Sequence, residues 1–175
     1  MLFYYKKHSI QQDIGITYKY FLSKHYYSKL FSDDGEDEAY HVESQHDSKY
    51  LLDGEKFELI AKDNEIIITL EGEVLSIKEN EQIQLAFYFK ELIDRIEGTL
   101  DDDEEATNFI SNYFGEQFTM TINISTKKGK TIVEELSHTK PKNFIAALFW
   151  KVYGWYYKIT RIKKYKDLIH EIESI

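Results

Sequence analysis

Residues 55–79 read EKFELIAKDNEIIITLEGEVLSIKE, and this stretch decides the fold class. It contains three strand-like runs, which are residues 56–62, 65–70 and 73–78. The runs are separated by Asp63-Asn64 and by Glu71-Gly72, and Asn and Gly both tolerate the positive φ of tight hairpin turns. Ile66, Ile68 and Leu70 alternate with Ile67 and Thr69, as in a half-buried strand. The stretch therefore predicts a three-stranded antiparallel meander.

A second β-unit lies further along the chain. Residues 116–126, EQFTMTINIST, alternate large apolar side chains with Thr and Asn, which is typical of a strand with one buried face. Residues 127–130, KKGK, predict a turn, and residues 131–137 return as the antiparallel partner. The three-stranded meander and this two-stranded hairpin together predict an antiparallel sheet of about five strands.

Helices are expected before, between and after these strands. Residues 14–31 suit an amphipathic helix, and residues 81–97 carry a helical stripe whose first half alternates equally well as a strand. The acidic run DDDEE at 101–105 favours the N-terminal end of another helix, where the dipole is positive. We therefore predict an α+β fold over a single domain, 1–175, with N-terminal, central and C-terminal helices around the sheet.

The C-terminal helix is predicted to start at Asn143 or at Lys140, with Pro141 early in it, and Gly154 is a possible end or kink. Its buried face is predicted to consist of Ile145, Leu148, Phe149 and Val152. Residues 150–166 mix Trp, Tyr, Lys and Arg, a composition that can contact nucleic acid or an anionic membrane. We interpret the segment first as an ordinary terminal helix.

Several classes of chemistry are excluded by the sequence. The chain contains no cysteine, which rules out disulfides and thiol catalysis. Its eight glycines form no phosphate-binding loop, and no catalytic motif is present. The apolar-rich run at 144–157 contains Lys151 and is too short to span a bilayer, and the first residues lack the apolar core of a secretion signal. We expect a bacterial cytoplasmic protein without enzymatic activity or cofactor.

The strongest metal candidate lies in the stretch YHVESQHD. Imidazole and carboxylate groups of this stretch, with one further histidine, could ligate zinc or manganese; they are His41, Glu43, His46, Asp47 and His138. The first two histidines are five residues apart, so the i, i+4 spacing that places two ligands on one helix face is absent. We predict no metal site, and a metal- or carboxylate-dependent enzyme remains an alternative.

Charge is distributed very unevenly along the chain. Residues 32–139 hold 27 acidic and nine basic residues, a net charge of −18, whereas residues 1–31 and 140–175 carry +4 and +5. Such a negative field attracts basic partners and repels nucleic acid. The favoured hypothesis is a small acidic protein-binding module, of the immunity-protein type, that covers the active site of a basic toxin such as a nuclease. This is an analogy of class, and no motif carries it.

The predicted partner-binding residues lie within the acidic run SDDGEDE at 32–38 or shortly after it. Acidic side chains would steer the approach of the partner and two tyrosines would anchor it; the set is Asp33, Asp34, Glu36, Asp37, Glu38, Tyr40, Glu43, Asp47 and Tyr50. A structural or accessory subunit of an oligomer, which pairs basic ends with acidic centres, is the second alternative.

Overall fold

The chain forms strands and helices over residues 1–31, 41–63, 66–88, 94–95 and 117–175, the part that the computed structural model describes. The helices in this part are α1 (Ile14–Leu22), α2 (Lys24–Phe31), α3 (Phe144–Thr160) and α4 (Ile162–Ser174). The strands are β1 (Leu2–Ile10), β2 (His41–Ser44), β3 (Lys56–Asp63), β4 (Ile66–Lys78), β5 (Gln82–Tyr88), β6 (Asp94–Arg95), β7 (Gln117–Lys127) and β8 (Lys130–Thr139).

The strands form one antiparallel sheet in the order β1-β8-β7-β5-β4-β3-β2, and the short β6 pairs with β4. The predicted α+β class with an antiparallel sheet is therefore confirmed. The expected number of about five strands is too low for the described residues, because β1, β2 and β6 were not predicted and β5 was left open between helix and strand. On β1 the inward positions include Lys6 and His8, so the strand lacks the apolar alternation that would reveal it.

The predicted turn at Glu71-Gly72 is wrong, because β4 runs straight through it for 13 residues. Gly72 lies directly opposite Phe57 on β3, and a Cβ on Gly72 would come within 2.3 Å of the Phe57 ring. The glycine therefore makes room for an aromatic ring in the core, and it does not reverse the chain.

Residues 82–88 form strand β5, so the strand alternative is the correct one for the first half of 81–97. β5 pairs with β4 on one side and with β7 on the other, and Ile83, Leu85 and Phe87 are fully buried. Pairing with these two neighbouring strands stabilises the strand conformation of this segment over the helical one. The rest of that prediction, and the helix expected from 101–105, lie outside the described residues.

The predicted helix over 14–31 is divided into α1 and α2 by Ser23. Its backbone is extended, with φ −75° and ψ 143°, and it forms a bridge with Tyr50. The Ser23 hydroxyl donates to the Tyr20 carbonyl at 2.6 Å and accepts from the Tyr26 amide at 3.2 Å. These bonds satisfy backbone groups that the helix ends leave open.

Glu171 on α4 connects the C-terminal helix to α1 and α2. Its carboxylate accepts from Tyr20 Oη at 3.0 Å and from Lys29 Nζ at 2.7 Å, and it lies 2.8 Å from His25 Nε2. Burial raises the pKa of Glu171, but the hydrogen bonds from Lys29, His25 and Tyr20 outweigh it and hold the pKa below its usual value. The Glu171 carboxylate therefore links α4 to both α1 and α2.

Helix α3 is capped by Asn143, one of the two predicted starts, whose side chain accepts from the Ala146 amide at 2.8 Å. It packs on β1 and β7 through Trp150, whose ring lies 4.3 Å from Phe3 and 6.2 Å from Phe118. Gly154 is helical, and a Cβ there would come within 2.1 Å of the Phe3 carbonyl oxygen. The predicted end or kink at Gly154 is wrong, because this glycine allows the helix to approach the strand closely.

The predicted buried face of α3 is wrong for three of its four residues, and only Phe149 is partly buried. Ile145, Leu148 and Val152 are all more than half exposed, and Ala146, Trp150 and Gly154 are buried in their place. Apolar residues lie on two sides of the helix. The side that carries Ala146 and Gly154 faces the sheet, because these two small residues permit close contact with β1.

Candidate protein-binding site

Three glutamates occupy one row across neighbouring strands. Glu43 on β2 lies opposite Glu58 on β3, and Glu58 lies opposite Glu71 on β4. Tyr88 on β5 continues the row beside Glu71. The buried residues alternate with these positions on β3 and β4, so the glutamates project from the outer face of the sheet.

The row lines a groove of about 760 Å³. The groove residues come from β2 to β5 and the turn after β2, and they are Glu43, Ser44, Gln45, Lys56, Phe57, Glu58, Glu71, Gly72, Glu73 and Tyr88. Lys56 is the only base among them, against four glutamates. We call this surface the acidic groove.

The negative charge of the acidic groove is poorly compensated. Glu43 Oε1 lies 3.0 Å from His41 Nε2, and Glu73 Oε2 accepts a hydrogen bond from Tyr88 Oη at 2.9 Å. No described Lys or Arg forms an ion pair with Glu58 or Glu71. Like charges placed directly opposite on neighbouring strands destabilise a sheet. The row is therefore a feature that folding alone does not favour.

Tyr88 responds to this field. Burial, its hydrogen bond to Glu73 and the negative charges of Glu73 and Glu71 all raise the pKa of the Tyr88 phenol. The phenol therefore stays protonated and donates to Glu73, and its ring supplies an apolar wall beside the carboxylates. A cationic side chain entering the acidic groove would meet carboxylates and an aromatic face together.

The predicted site residues are only partly brought together here. Glu43 lines the acidic groove, and Asp47 is exposed just beyond β2. Tyr50 is half-buried, with Lys49 Nζ 5.1 Å from its ring centre. The other predicted residues lie outside the described part of the chain; they are Asp33, Asp34, Glu36, Asp37, Glu38 and Tyr40.

Sequence reasoning missed Glu58, Glu71 and Glu73. The available signal was the alternate spacing of Glu71 and Glu73, with Glu58 on the preceding strand-like run. Because Gly72 was interpreted as a turn residue, Glu71 and Glu73 were not recognised as neighbours on one face of one strand.

A second polar cluster surrounds the fully buried Glu135 on β8. Its Oε2 accepts from Tyr165 Oη at 2.8 Å and from Tyr26 Oη at 3.2 Å, and its Oε1 lies 3.3 Å from His8 Nε2. Burial and the charge of Glu135 raise the pKa of both phenols well above the usual value. The carboxylate is 0% exposed, so the cluster joins β1, β8, α2 and α4 from within and does not present a surface.

The residues weighed as metal ligands are separated in the fold. His41 and Glu43 lie on β2, and His138 lies on β8, with four strands between them in the sheet order. Over residues 1–31, 41–63, 66–88 and 117–175, no group of three His, Asp or Glu side chains is arranged to hold a metal ion.

The architecture is an antiparallel sheet followed by the two helices α3 and α4, and several solved structures are similar to it. The chain is 14% identical to a protein of Staphylococcus epidermidis, with a TM-score of 0.59 over 95% of this chain and 88% of that one. It is 10% identical to a protein of Nitrosomonas europaea, with a TM-score of 0.58 over 98% and 96% of the two chains.

A third similar structure is that of Ara h 8.0201, which is 11% identical, with a TM-score of 0.57 over 98% of this chain and 97% of that one. At these identities the likeness shows the fold alone. Neither a protein-family model nor a curated protein matches the sequence. In the described residues, no helix has the length and apolar character needed to cross a membrane.

Proposed function

We propose that the chain is a binding module for a basic protein, which it engages through the acidic groove. The observation that carries the proposal is the row of Glu43, Glu58 and Glu71, aligned by strand register and without a Lys or Arg ion pair to Glu58 or Glu71 among the described residues. A row of like charges lowers stability, so its benefit is expected in recognition.

The chemistry of the acidic groove suits a partner that presents Lys or Arg side chains. Carboxylates accept bidentate hydrogen bonds from guanidinium groups, and the Tyr88 ring offers a face for a cation. Within this class we favour an inhibitor of the immunity-protein type, whose target is a basic toxin such as a nuclease. A nuclease site must attract phosphate, and it is therefore complementary to a surface of carboxylates.

The test is co-expression with the tagged product of the adjacent gene, followed by measurement of association kinetics. Glu58→Gln with Glu71→Gln removes two charges from the acidic groove. We expect a several-fold slower association rate at low salt, a smaller difference at high salt and no loss of folding stability.

The matched control is Glu79→Gln with Glu81→Gln, which removes the same charge at the β4–β5 turn, away from the acidic groove. Its association rate should stay close to that of the unchanged protein. Equal slowing by both double variants would show that only net charge matters. Absence of any complex at low salt would reject the inhibitor assignment for this gene pair.

A further inference from the structure

The outer side of α3 carries a continuous apolar face. At 100° per residue, seven side chains fall within about one third of the helix circumference. They are Phe144, Ile145, Leu148, Val152, Trp155, Tyr156 and Ile159. We call this set the outer apolar face.

The outer apolar face is not used by the core. Phe144 is 82% exposed and Trp155 is 67% exposed, and the other members are all about half exposed or more. Trp150 and Gly154, on the far side of the same helix, make the contacts with the sheet. Apolar patches of this size on a protein surface usually mark an interaction site.

The charged residues in the segment that contains this face are all basic. Residues 140–166 contain seven Lys, one Arg and no acidic residue. Lys151 and Lys158 are exposed and lie together along the edge of the face formed by Phe144 and Trp155. A helix with an aromatic and aliphatic face and lysines beside it is the pattern of helices that lie in a membrane interface.

A second copy of the chain suits this face less well. When two such helices pack antiparallel, equivalent edges meet, so the Lys151–Lys158 edge of one copy would face the same edge of the other.

Nucleic acid also suits the outer apolar face less well. Stacking would use Trp155 and Tyr156, but Leu148, Val152 and Ile159 would remain in water.

We propose that the outer apolar face of α3 docks on an anionic lipid surface, with Lys151 and Lys158 in contact with the headgroups. The aliphatic and aromatic side chains enter the boundary between headgroups and acyl chains, and the lysines supply the electrostatic attraction. The helix lies along the surface and does not cross it, as its length and its Lys151 require.

The negative charge of the acidic groove does not prevent this contact. α3 packs on β1, at one end of the sheet order, and the acidic groove lies on β2 to β5, towards the other end. Charges separated by more than about 8 Å are largely screened at physiological ionic strength. The lipid surface would therefore experience mainly the local charge of α3.

The two tryptophans make the test direct, because Trp150 is 1% exposed and only Trp155 is accessible. The protein is mixed with vesicles of phosphatidylcholine alone or of phosphatidylcholine with phosphatidylserine, then sedimented. We expect sedimentation with the anionic vesicles and a shift of the tryptophan emission to shorter wavelength. Trp155→Phe should still sediment but lose most of the spectral shift.

Two further variants separate the apolar and the electrostatic contributions. Leu148→Ser with Val152→Ser should abolish sedimentation, and the variant should still unfold cooperatively in urea because more than half of each side chain is exposed. Lys151→Gln with Lys158→Gln should weaken binding to anionic vesicles roughly 30-fold, at about five-fold for each lysine. The matched control, Lys127→Gln with Lys130→Gln in the β7–β8 turn, should bind like the unchanged protein.

Several results would overturn the proposal. No sedimentation with anionic vesicles would do so, and so would equal weakening by the two lysine double variants. A concentration-dependent shift of the Trp155 emission without lipid, together with dimers in analytical ultracentrifugation, would assign the face to a second copy. Tighter binding to a single-stranded oligonucleotide than to anionic vesicles would assign it to nucleic acid.

Discussion

Replacing Glu58 by Gln should make the protein more stable. Glu58 is the middle member of its row, so it faces Glu43 on one side and Glu71 on the other. Gln has nearly the same shape and keeps the outward position on β3, but it removes both like-charge pairs. The change therefore isolates electrostatic repulsion from packing.

The expected gain follows from the two pairs. A like-charge pair directly opposite on neighbouring strands costs roughly 0.2–1 kcal/mol, so the free energy of unfolding should rise by about 0.5–2 kcal/mol at low salt. The side chain has no ion pair to a described Lys or Arg, so no compensating attraction is lost within that part of the chain. The gain should shrink at high salt, since the Debye length falls from about 30 Å at 0.01 M to 3 Å at 1 M.

The assay is equilibrium urea unfolding, followed by circular dichroism at low and at high ionic strength. Glu79→Gln at the β4–β5 turn is the control, because it removes the same charge from a residue with no strand partner. A gain that is no larger than the control's, or one that persists unchanged at high salt, would refute the claim that the row repels itself. A gain in stability with slower partner association would show that the row sacrifices stability for recognition.

Three further changes test other parts of the fold. Glu171→Gln should lower the free energy of unfolding by about 1–3 kcal/mol, because three donors lose a charged acceptor. The pKa of Glu171 is depressed, so this contribution is present above the pKa of the unfolded carboxyl and is lost as the pH falls through the pKa of the folded carboxyl. The stabilities of Glu171→Gln and of the unchanged protein should therefore converge in acid. The control, Asp167→Asn, should match the unchanged protein at every pH. Gly72→Ala should cost about 1–3 kcal/mol in urea unfolding, since its Cβ meets the Phe57 ring. In an alkaline absorbance titration, buried phenols such as Tyr26 should ionise only on unfolding: burial raises their pKa, so their stabilising effect is complete below the unfolded pKa and is lost as pH rises above it.

The hairpin of β7 and β8 was predictable because its information is local. Phe118, Met120, Ile122 and Ile124 all face the core, and the turn at Gly129 has the positive φ of 74° that glycine permits. Alternation and turn chemistry agree there, so no distant contact is needed to choose between helix and strand.

Strand β1 was not predictable because its meaning depends on distant partners. Its inward positions include His8, which lies beside the buried Glu135, and Lys6, whose Nζ lies 4.3 Å from the centre of the Tyr165 ring. A polar residue in the core is recognisable only when its partner is known. That partner is more than 120 residues away in the chain, so the alternation alone carried no usable signal.

The two candidate surfaces were partly predictable for related reasons. Periodicity shows that α3 has an apolar face, but it does not show which of two apolar sides meets the sheet; Gly154 decides that through its contact with Phe3. Glu43 was identified from local charge, whereas its alignment with Glu58 and Glu71 depends on strand register, which the misplaced turn at Gly72 concealed.

Strand register also determines where the negative charge of the central segment is neutralised. Lys7 on β1 forms a 2.7 Å ion pair with Glu134 on β8, and this bond and that from Tyr5 lower the pKa of Glu134. The basic N-terminal strand thus compensates acidic residues at its own edge of the sheet, and it does not reach β2 to β4. Because the β1 edge is compensated and the acidic groove is not, the described surface is polarised along the sheet order. A basic partner in the acidic groove and an anionic lipid surface on α3 would therefore occupy separate regions of opposite charge, and neither contact requires the other to be released.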